Sequence, residues 1–320
     1  MAKAPSSSEE GVGGGGHPEP GAHDSTTPPP PPLKRRGSYV AQAIREATTK
    51  LATTSDTARL DAELLMAHAL GVSRSDLLLR HMQDAVPPAF AALVERRAAQ
   101  KPLAYIIGTQ EFFGRSFLVT SDVLIPRADS ESVVEAALAA APEAKRILDC
   151  GTGSGALLLT LLAEVPAAEG VGIDASMGAI AVAAANAGLL GLAERARILH
   201  ADWTQNGWAK GHGRFDLIIA NPPYVETGAD LAPDVRGFEP ASALFAGPEG
   251  LNDYRILLPQ LPDLLTENGV AVLEIGYLQA AAVTQIAEKQ GFSVEVKQDL
   301  GQRDRALVLR IKLGKGESTG

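Results

Sequence analysis

An apolar run, Phe215-Asp216-Leu217-Ile218-Ile219-Ala220, leads directly into Asn221-Pro222-Pro223-Tyr224. Two successive prolines remove two backbone N–H donors and fix the chain. Carbonyl oxygens at the end of such a strand face outward beside the Asn221 side chain. Acceptors paired in this way suit a planar NH2 group, which is a poor nucleophile while its lone pair is delocalised. Hydrogen bonds from its two N–H groups to the Asn221 oxygen and the Pro222 carbonyl would orient that nitrogen. They would also stabilise the positive charge that grows on it during attack. The Tyr224 ring can stack on the planar group and set its angle. The six histidines are scattered, with none at a pairing distance, so no general base is expected. Asn221, Pro222 and Tyr224 are therefore the expected catalytic residues, with Pro223 completing the substrate clamp. A rigid Pro-Pro loop without chemistry is the alternative.

A second constellation lies upstream. The apolar strand Ile147-Leu148-Asp149 runs through Cys150 into Gly151-Thr152-Gly153-Ser154-Gly155. Glycines let the backbone turn sharply and let a ligand approach closely. The spacing is Gly-x-Gly-x-Gly, not the Gly-x-Gly-x-x-Gly of nicotinamide cofactors. That leans toward S-adenosyl-L-methionine, which has no pyrophosphate to seat on a helix N-terminus. The next strand ends in Asp174, 19 residues after Gly155. An acid there can accept both ribose hydroxyls of an adenosine group, or it can cap the following helix. The third strand ends in Asp202-Trp203. This acid can accept an adenine amino group, and the indole can lie on the adenine face or pack in the core. Asp149 can hold the loop amides or face a cationic sulfonium, and Cys150 reads as a small packing residue. A sulfonium donor brings its own leaving group, so no covalent enzyme intermediate is needed.

The elements that must position these residues alternate. Strands are expected over 146–149, 170–174, 196–202, 215–221, 269–276, 292–298 and 306–311. Helices are expected over 131–140, 156–163, 177–187, 253–265 and 279–289. Such alternation demands a mostly parallel sheet with helices on both faces. Only the Asp299–Arg303 turn separates the last two strands, so they should pair antiparallel.

Upstream the pattern is helical from Tyr39 to about Gln100. Val40, Ile44 and Leu51 share one face, and Leu60, Leu64 and Ala67 repeat the spacing. Gly71 should end the second helix, and Ser73 or Ser75 should cap a third. Pro87 and Pro88 should open a fourth, with Phe90 and Leu93 inward and Glu95, Arg96 and Arg97 outward. Tyr105-Ile106-Ile107 and Phe117-Leu118-Val119 read as strands joined through Gly114-Arg115, a linking hairpin. The expected organisation is a disordered tail (1–37), a helical docking domain (38–102), the hairpin (103–125), a catalytic domain (126–313) and a disordered end (314–320). The tail is rich in Gly, Ser and Pro, and too poor in apolar residues to offset its ordering entropy.

Composition narrows the function class. The chain has 320 residues, 45% of them hydrophobic, and a net charge of -9. No stretch approaches the ~20 apolar residues of a membrane span, and no apolar core near the N-terminus reads as a secretory signal. A cytoplasmic location is expected. One cysteine excludes an internal disulfide and a cysteine-based metal cluster; no metal is expected. The acidic balance and the lack of a basic-aromatic stretch count against direct binding of nucleic acid. A non-catalytic cofactor-binding scaffold is opposed by the intact clamp.

With these motifs in order, the chain resembles the release factor N5-glutamine methyltransferases, the HemK/PrmC type, over about residues 40–312. Besides the two constellations, the resemblance rests on Glu111-Phe112, on Leu124-Ile125-Pro126-Arg127-x-Asp129-Ser130-Glu131, and on Phe238-Glu239-Pro240, Ala243-Leu244 and Gly250-Leu251. Asn-Pro-Pro-Tyr alone would also suit adenine and guanine amino methyltransferases. The resemblance implies a small helical domain before a seven-stranded, Rossmann-like, class I S-adenosylmethionine-dependent methyltransferase domain. It implies cofactor contacts from Gly151–Gly155, Asp174, Trp203 and Asn221. It further implies a substrate glutamine, in the Gly-Gly-Gln loop of a peptide chain release factor, seated on Asn221–Tyr224. The chain departs in having Cys150 where an apolar residue is usual. A sister family modifies a ribosomal-protein glutamine and shares the motifs. A monomer is expected. Arg127, Asp129 and Glu131 can close over the cofactor or join the domains, and Asp129 or Ser130 can instead cap a helix. Glu274, Arg303 and Arg305 are candidates for the substrate mouth.

Overall fold

The structure is a computed structural model that describes residues 39–312. The expected tail (1–37) and C-terminal end (314–320) lie outside the described residues.

The chain begins with helices α1 (Val40–Leu51), α2 (Ala58–Leu70), α3 (Arg74–Asp76, running into a π turn over Leu77–His81), α4 (Phe90–Ala98) and α5 (Leu103–Ile107). Val40, Ile44 and Leu51 are buried, as their spacing predicts. On α2 Ala67 is buried as expected, but the rest of the inward face is Ala58, Ala62, Leu65 and Met66, and Leu60 is exposed. The cause is polar: Asp61 and Glu63 face inward and must be paired. Asp61 accepts the Arg97 guanidinium at 2.7 Å and the Ser55 and Thr57 hydroxyls at 2.8 and 2.9 Å. Arg97 is therefore buried, against the expected outward orientation. Gly71 ends α2 at φ 68°, and Ser73 caps α3 through the Asp76 N–H.

Tyr105-Ile106-Ile107 is helical, not a strand. Pro102 and a left-handed Gly108 bound one helical turn, whose Ile106 enters the helical core. The hairpin follows it, as β1 (Thr109–Phe112) and β2 (Arg115–Leu118), with Phe113 and Gly114 at φ 50° and 69° making the turn.

The rest alternates: α6 (Glu131–Ala140), β3 (Arg146–Cys150), α7 (Ala156–Glu164), β4 (Glu169–Asp174), α8 (Met177–Leu189), β5 (Ala196–His200), β6 (Phe215–Ala220), α9 (Pro233–Phe238), α10 (Asn252–Leu257), α11 (Leu261–Leu264), β7 (Leu265–Glu274), α12 (Ala280–Lys289), β8 (Phe292–Gln298) and β9 (Asp304–Ile311). The sheet order is β5-β4-β3-β6-β7-β9-β8, and only β9 runs against its neighbours. Successive residues of a strand face opposite sides. Ile147, Leu217 and Val272 thus pack with α6 and α7, while Leu148, Ile218 and Ala271 pack with α10 and α12.

Two expected elements are corrected, and one helix appears where none is expected. The long helix over 253–265 is broken into α10 and α11 by Pro259 and Pro262, which remove helical N–H donors. The third strand stops at His200, because the Asp202 carboxylate takes the Thr204 N–H and turns the chain. Helix α9 was not expected at all.

Candidate functional site

The sheet order reverses between β3 and β6, and ligands bind at such a switch point outside the carboxyl ends of the strands. Cys150 lies opposite Ala220 in the register, so the glycine loop and Asn221 leave the sheet side by side. A cavity of about 430 Å³ opens there. Gly151–Ser154, Asp174, Asp202, Trp203, Asn221 and Pro223 line it. Gly155, Pro222 and Tyr224 do not: Gly155 is the turn into α7, and a Cβ on it would lie 2.8 Å from the Leu159 side chain.

On the β3–β5 side the polar groups are engaged with one another. Gly151 and Thr152 both donate to the Ile173 carbonyl at 2.9 Å. Asp174 accepts the Gly153 N–H at 2.9 Å through one oxygen and the Ser176 N–H at 2.9 Å through the other. It therefore ties the glycine loop to the start of α8, and Ser176 itself caps α8. Each carboxylate oxygen keeps a further lone pair. Asp202 accepts the Thr204 N–H and hydroxyl at 2.8 and 2.7 Å, and these bonds hold its carboxyl below the usual range.

Asp149 is fully buried. One of its oxygens accepts the Thr152 hydroxyl at 2.7 Å and the other has no partner. Burial pushes its carboxyl up to about 7. Gly151, at φ 78°, packs on the Trp203 ring, where a Cβ would come within 2.9 Å of the indole. The indole N–H is buried near the Asp253 carboxyl but makes no well-formed hydrogen bond to it. Gly153 differs: at φ 55° its missing Cβ points at no protein atom within 4 Å.

The β6 side is arranged otherwise. Among the described residues, neither the Asn221 side chain nor the Pro222 carbonyl takes part in a hydrogen bond. Tyr224 is held at both ends. Its carbonyl accepts the Gln279 amide at 3.0 Å and its hydroxyl donates to Glu274 at 3.3 Å. Burial raises its phenol above the usual range, with Glu274 adding to the effect.

The remaining walls include Arg127, a candidate from the sequence, together with residues such as Val123, Ser242 and Asp253 for which sequence spacing held no functional signal. Val123, Pro126, Arg127 and Ser130 approach from the segment before α6, Ser242 from the loop after α9, and Asp253 from α10. Arg127 forms an ion pair with Glu239, whose second oxygen accepts the Ile125 N–H at 3.3 Å. The capping role open to Asp129 and Ser130 is not used: Asp129 pairs with Arg305 at 2.9 Å, and Ser130 makes no side-chain cap. Glu131 accepts the Phe113 N–H at 2.8 Å and so fastens the hairpin. Of the residues considered for the mouth, Glu274 and Arg305 are buried, and Arg303 lies outside over the Tyr277 ring.

An adenosyl cofactor fits these residues. The glycine loop leaves room where a side chain would intrude, the Trp203 N–H is unpartnered, and carboxylates with spare lone pairs stand at two strand ends.

Comparison with known proteins agrees with this geometry. Residues 42–108 match the PrmC N-terminal domain family and residues 128–236 the methyltransferase small domain family. A release factor glutamine methyltransferase of Cereibacter sphaeroides is 43% identical over 85% of this chain and 98% of its own length. Its counterpart in Caulobacter vibrioides is 41% identical over 80% and 90%. Among solved structures, the hMettl16 catalytic domain, in complex with the MAT2A 3'UTR hairpin 1, shares the fold with a TM-score of 0.53. It is 14% identical over 70% of this chain and 82% of that one.

Proposed function

The chain belongs to the release factor glutamine methyltransferase family, and on that premise we propose that it methylates the side-chain amide nitrogen (N5) of the glutamine in the Gly-Gly-Gln loop of peptide chain release factors. It is an S-adenosylmethionine-dependent methyltransferase. When bound, S-adenosylmethionine supplies an electrophilic methyl carbon on a cationic sulfur.

The observation that carries the acceptor reading is the open pair of acceptors, the Asn221 side chain and Pro222 carbonyl, one strand away from the glycine loop. In this reading the Asn221 oxygen and the Pro222 carbonyl receive the two N–H groups of the glutamine amide. They orient its nitrogen and stabilise the charge that develops on it. Tyr224 stacks on the amide plane, and Pro223 keeps the loop rigid. Asp174 accepts from the ribose, Asp202 from the adenine, and Trp203 packs beside it, while Gly151–Ser154 line the site and Gly153 leaves open space for the ligand. The helices before β1 grip the factor away from its loop. Leu79, 80% exposed on the turn after α3, belongs to that surface, and Leu79→Asp should raise KM for the factor without changing cofactor affinity.

The test is transfer of a labelled methyl group to a purified release factor, beside a version whose loop glutamine is alanine. Label on the native factor alone supports the proposal. Label on both, or only on a ribosomal protein or nucleic acid, overturns the acceptor.

A further inference from the structure

Glu274 ends β7, the strand beside β6. Ala220 pairs with Leu273, so Glu274 lies level with Asn221, the first residue of the clamp. Glu274 is 1% exposed. One carboxyl oxygen accepts the Tyr224 hydroxyl at 3.3 Å, and the other is buried without a partner. Ser130, a cavity wall residue, stands beside it, so the carboxyl sits directly behind the site.

A carboxyl in such a place is costly to the fold, since neither of its oxygens reaches water. The nearest cation does not neutralise it through a direct bond. Arg305 directs its N–H groups to Asp129 at 2.9 Å, the Ile275 carbonyl at 3.4 Å and Asp299 at 3.5 Å, and its Nε has no partner. The direct hydrogen bond that Glu274 makes therefore goes to the hydroxyl of the clamp's Tyr224, at 3.3 Å. The backbone of Tyr224 is fixed independently by Gln279, so the Glu274 bond governs the other end of the side chain.

We propose that Glu274 is a positioning residue for methyl transfer, its carboxyl holding the Tyr224 hydroxyl so that the ring closes the clamp at one angle. The proposal rests on the reading of Asn221–Tyr224 as the acceptor clamp. A misaligned ring lets the acceptor nitrogen wander from the line of attack, which lowers the rate of transfer more than it lowers binding.

The test compares Glu274→Ala, Glu274→Gln and Tyr224→Phe in the full chain, with kcat and KM on a purified release factor. Cofactor Kd is followed by calorimetry and integrity by the thermal midpoint. Glu274→Ala and Tyr224→Phe should each lower kcat by about 10-fold or more while KM moves by less than about 3-fold. Glu274→Gln keeps a carbonyl oxygen for the Tyr224 hydroxyl and should stay within about 3-fold of the native kcat. The double variant Glu274→Ala/Tyr224→Phe should be no slower than the slower single.

Multiplying effects in the double variant would overturn the proposal. So would a native kcat in Glu274→Ala, or a Glu274→Gln that loses cofactor affinity and kcat together. Should Glu274→Ala not fold, Tyr224→Phe decides: a native kcat there overturns the proposal equally. A native enzyme that labels a different acceptor overturns only the release-factor reading, and the same variants are then compared on that acceptor. A native enzyme that labels none overturns both.

Discussion

The two sides of the cavity use their polar groups in opposite ways. On the β3–β5 side, Asp149, Asp174 and Asp202 bind Thr152, Gly153 with Ser176, and Thr204 respectively. That wall is built before any ligand arrives, and it binds by shape and spare lone pairs. On the β6 side the Asn221 amide and Pro222 carbonyl have no partner among the described residues, and only Tyr224 is pinned. The contrast separates two jobs: a preorganised wall lowers the cost of holding a cofactor, and open acceptors act on a group that becomes charged in the transition state.

The sharpest way to break this comparison is Asn221→Ala. It should lower kcat by about 1,000-fold, or roughly 4 kcal/mol of transition-state stabilisation. Cofactor affinity, measured by calorimetry, should fall far less, because the opposite wall is untouched. Equal losses in both would merge the two jobs into one.

Asp149 tests whether the cofactor wall carries internal stress. Its carboxyl ionises near 7 in the fold against 3.8 ordinarily. The folded state therefore holds a proton more tightly than the unfolded chain between these values. The contribution of this group to stability is fully present below about pH 4 and is lost as pH rises through about 7. Asp149→Asn cannot ionise and keeps an oxygen for the Thr152 hydroxyl. Urea unfolding should show the variant stabilised relative to the native chain by up to roughly 4 kcal/mol above pH 7, with the gap closing toward pH 4. Parallel profiles would show that ionisation of Asp149 does not weaken the fold.

How far each side could be read from sequence follows the same division. Gly151–Gly155, Asp174 and Asn221–Tyr224 sit at strand ends within short local patterns, so a period-2 apolar run followed by punctuation locates them. Glu239, Asp253 and Glu274 reach the site through pairings more than 25 residues apart in sequence, with Arg127, the Trp203 neighbourhood and Tyr224. No local pattern encodes such pairings. The helical turn at Tyr105–Ile107, where the sequence alone predicts a strand, has a related cause. Its β-branched residues favour a strand locally, yet a buried place for Ile106 among the helices and the stops at Pro102 and Gly108 override that preference. Arg97 and Leu60 exchanged their expected sides because Asp61 needed a buried partner.

Within the glycine loop, two alanine substitutions should come apart. Gly151→Ala combines a left-handed backbone with a Cβ 2.9 Å from the indole, and should cost about 1–3 kcal/mol of stability. Gly153→Ala meets no protein atom within 4 Å and should cost only about 1 kcal/mol, from its backbone conformation. Its methyl group points into space kept for the ligand, so cofactor affinity should still fall. Unfolding midpoints and calorimetry on both variants check the pair. If Gly153→Ala binds the cofactor like the native chain, the open space at that position is not part of the site.

Trp203→Phe has the smallest expected effect and separates the two roles open to the indole. Its ring lies against Gly151, while its N–H is buried without a partner, near an Asp253 carboxyl that burial has raised. Phenylalanine keeps an aromatic face there and deletes the unsatisfied donor, but it leaves a small void. The deletion and the void act in opposite directions on folding, so stability should stay within about 1 kcal/mol of the native chain. If the N–H meets a ligand atom or an ordered water beside the ligand, cofactor affinity should fall by about 3- to 10-fold, the worth of one hydrogen bond. If the ring only packs, affinity and stability should move together. Calorimetry and urea unfolding on the one variant distinguish these. An affinity loss with unchanged stability would place Trp203 with the cofactor wall in function as well as in position.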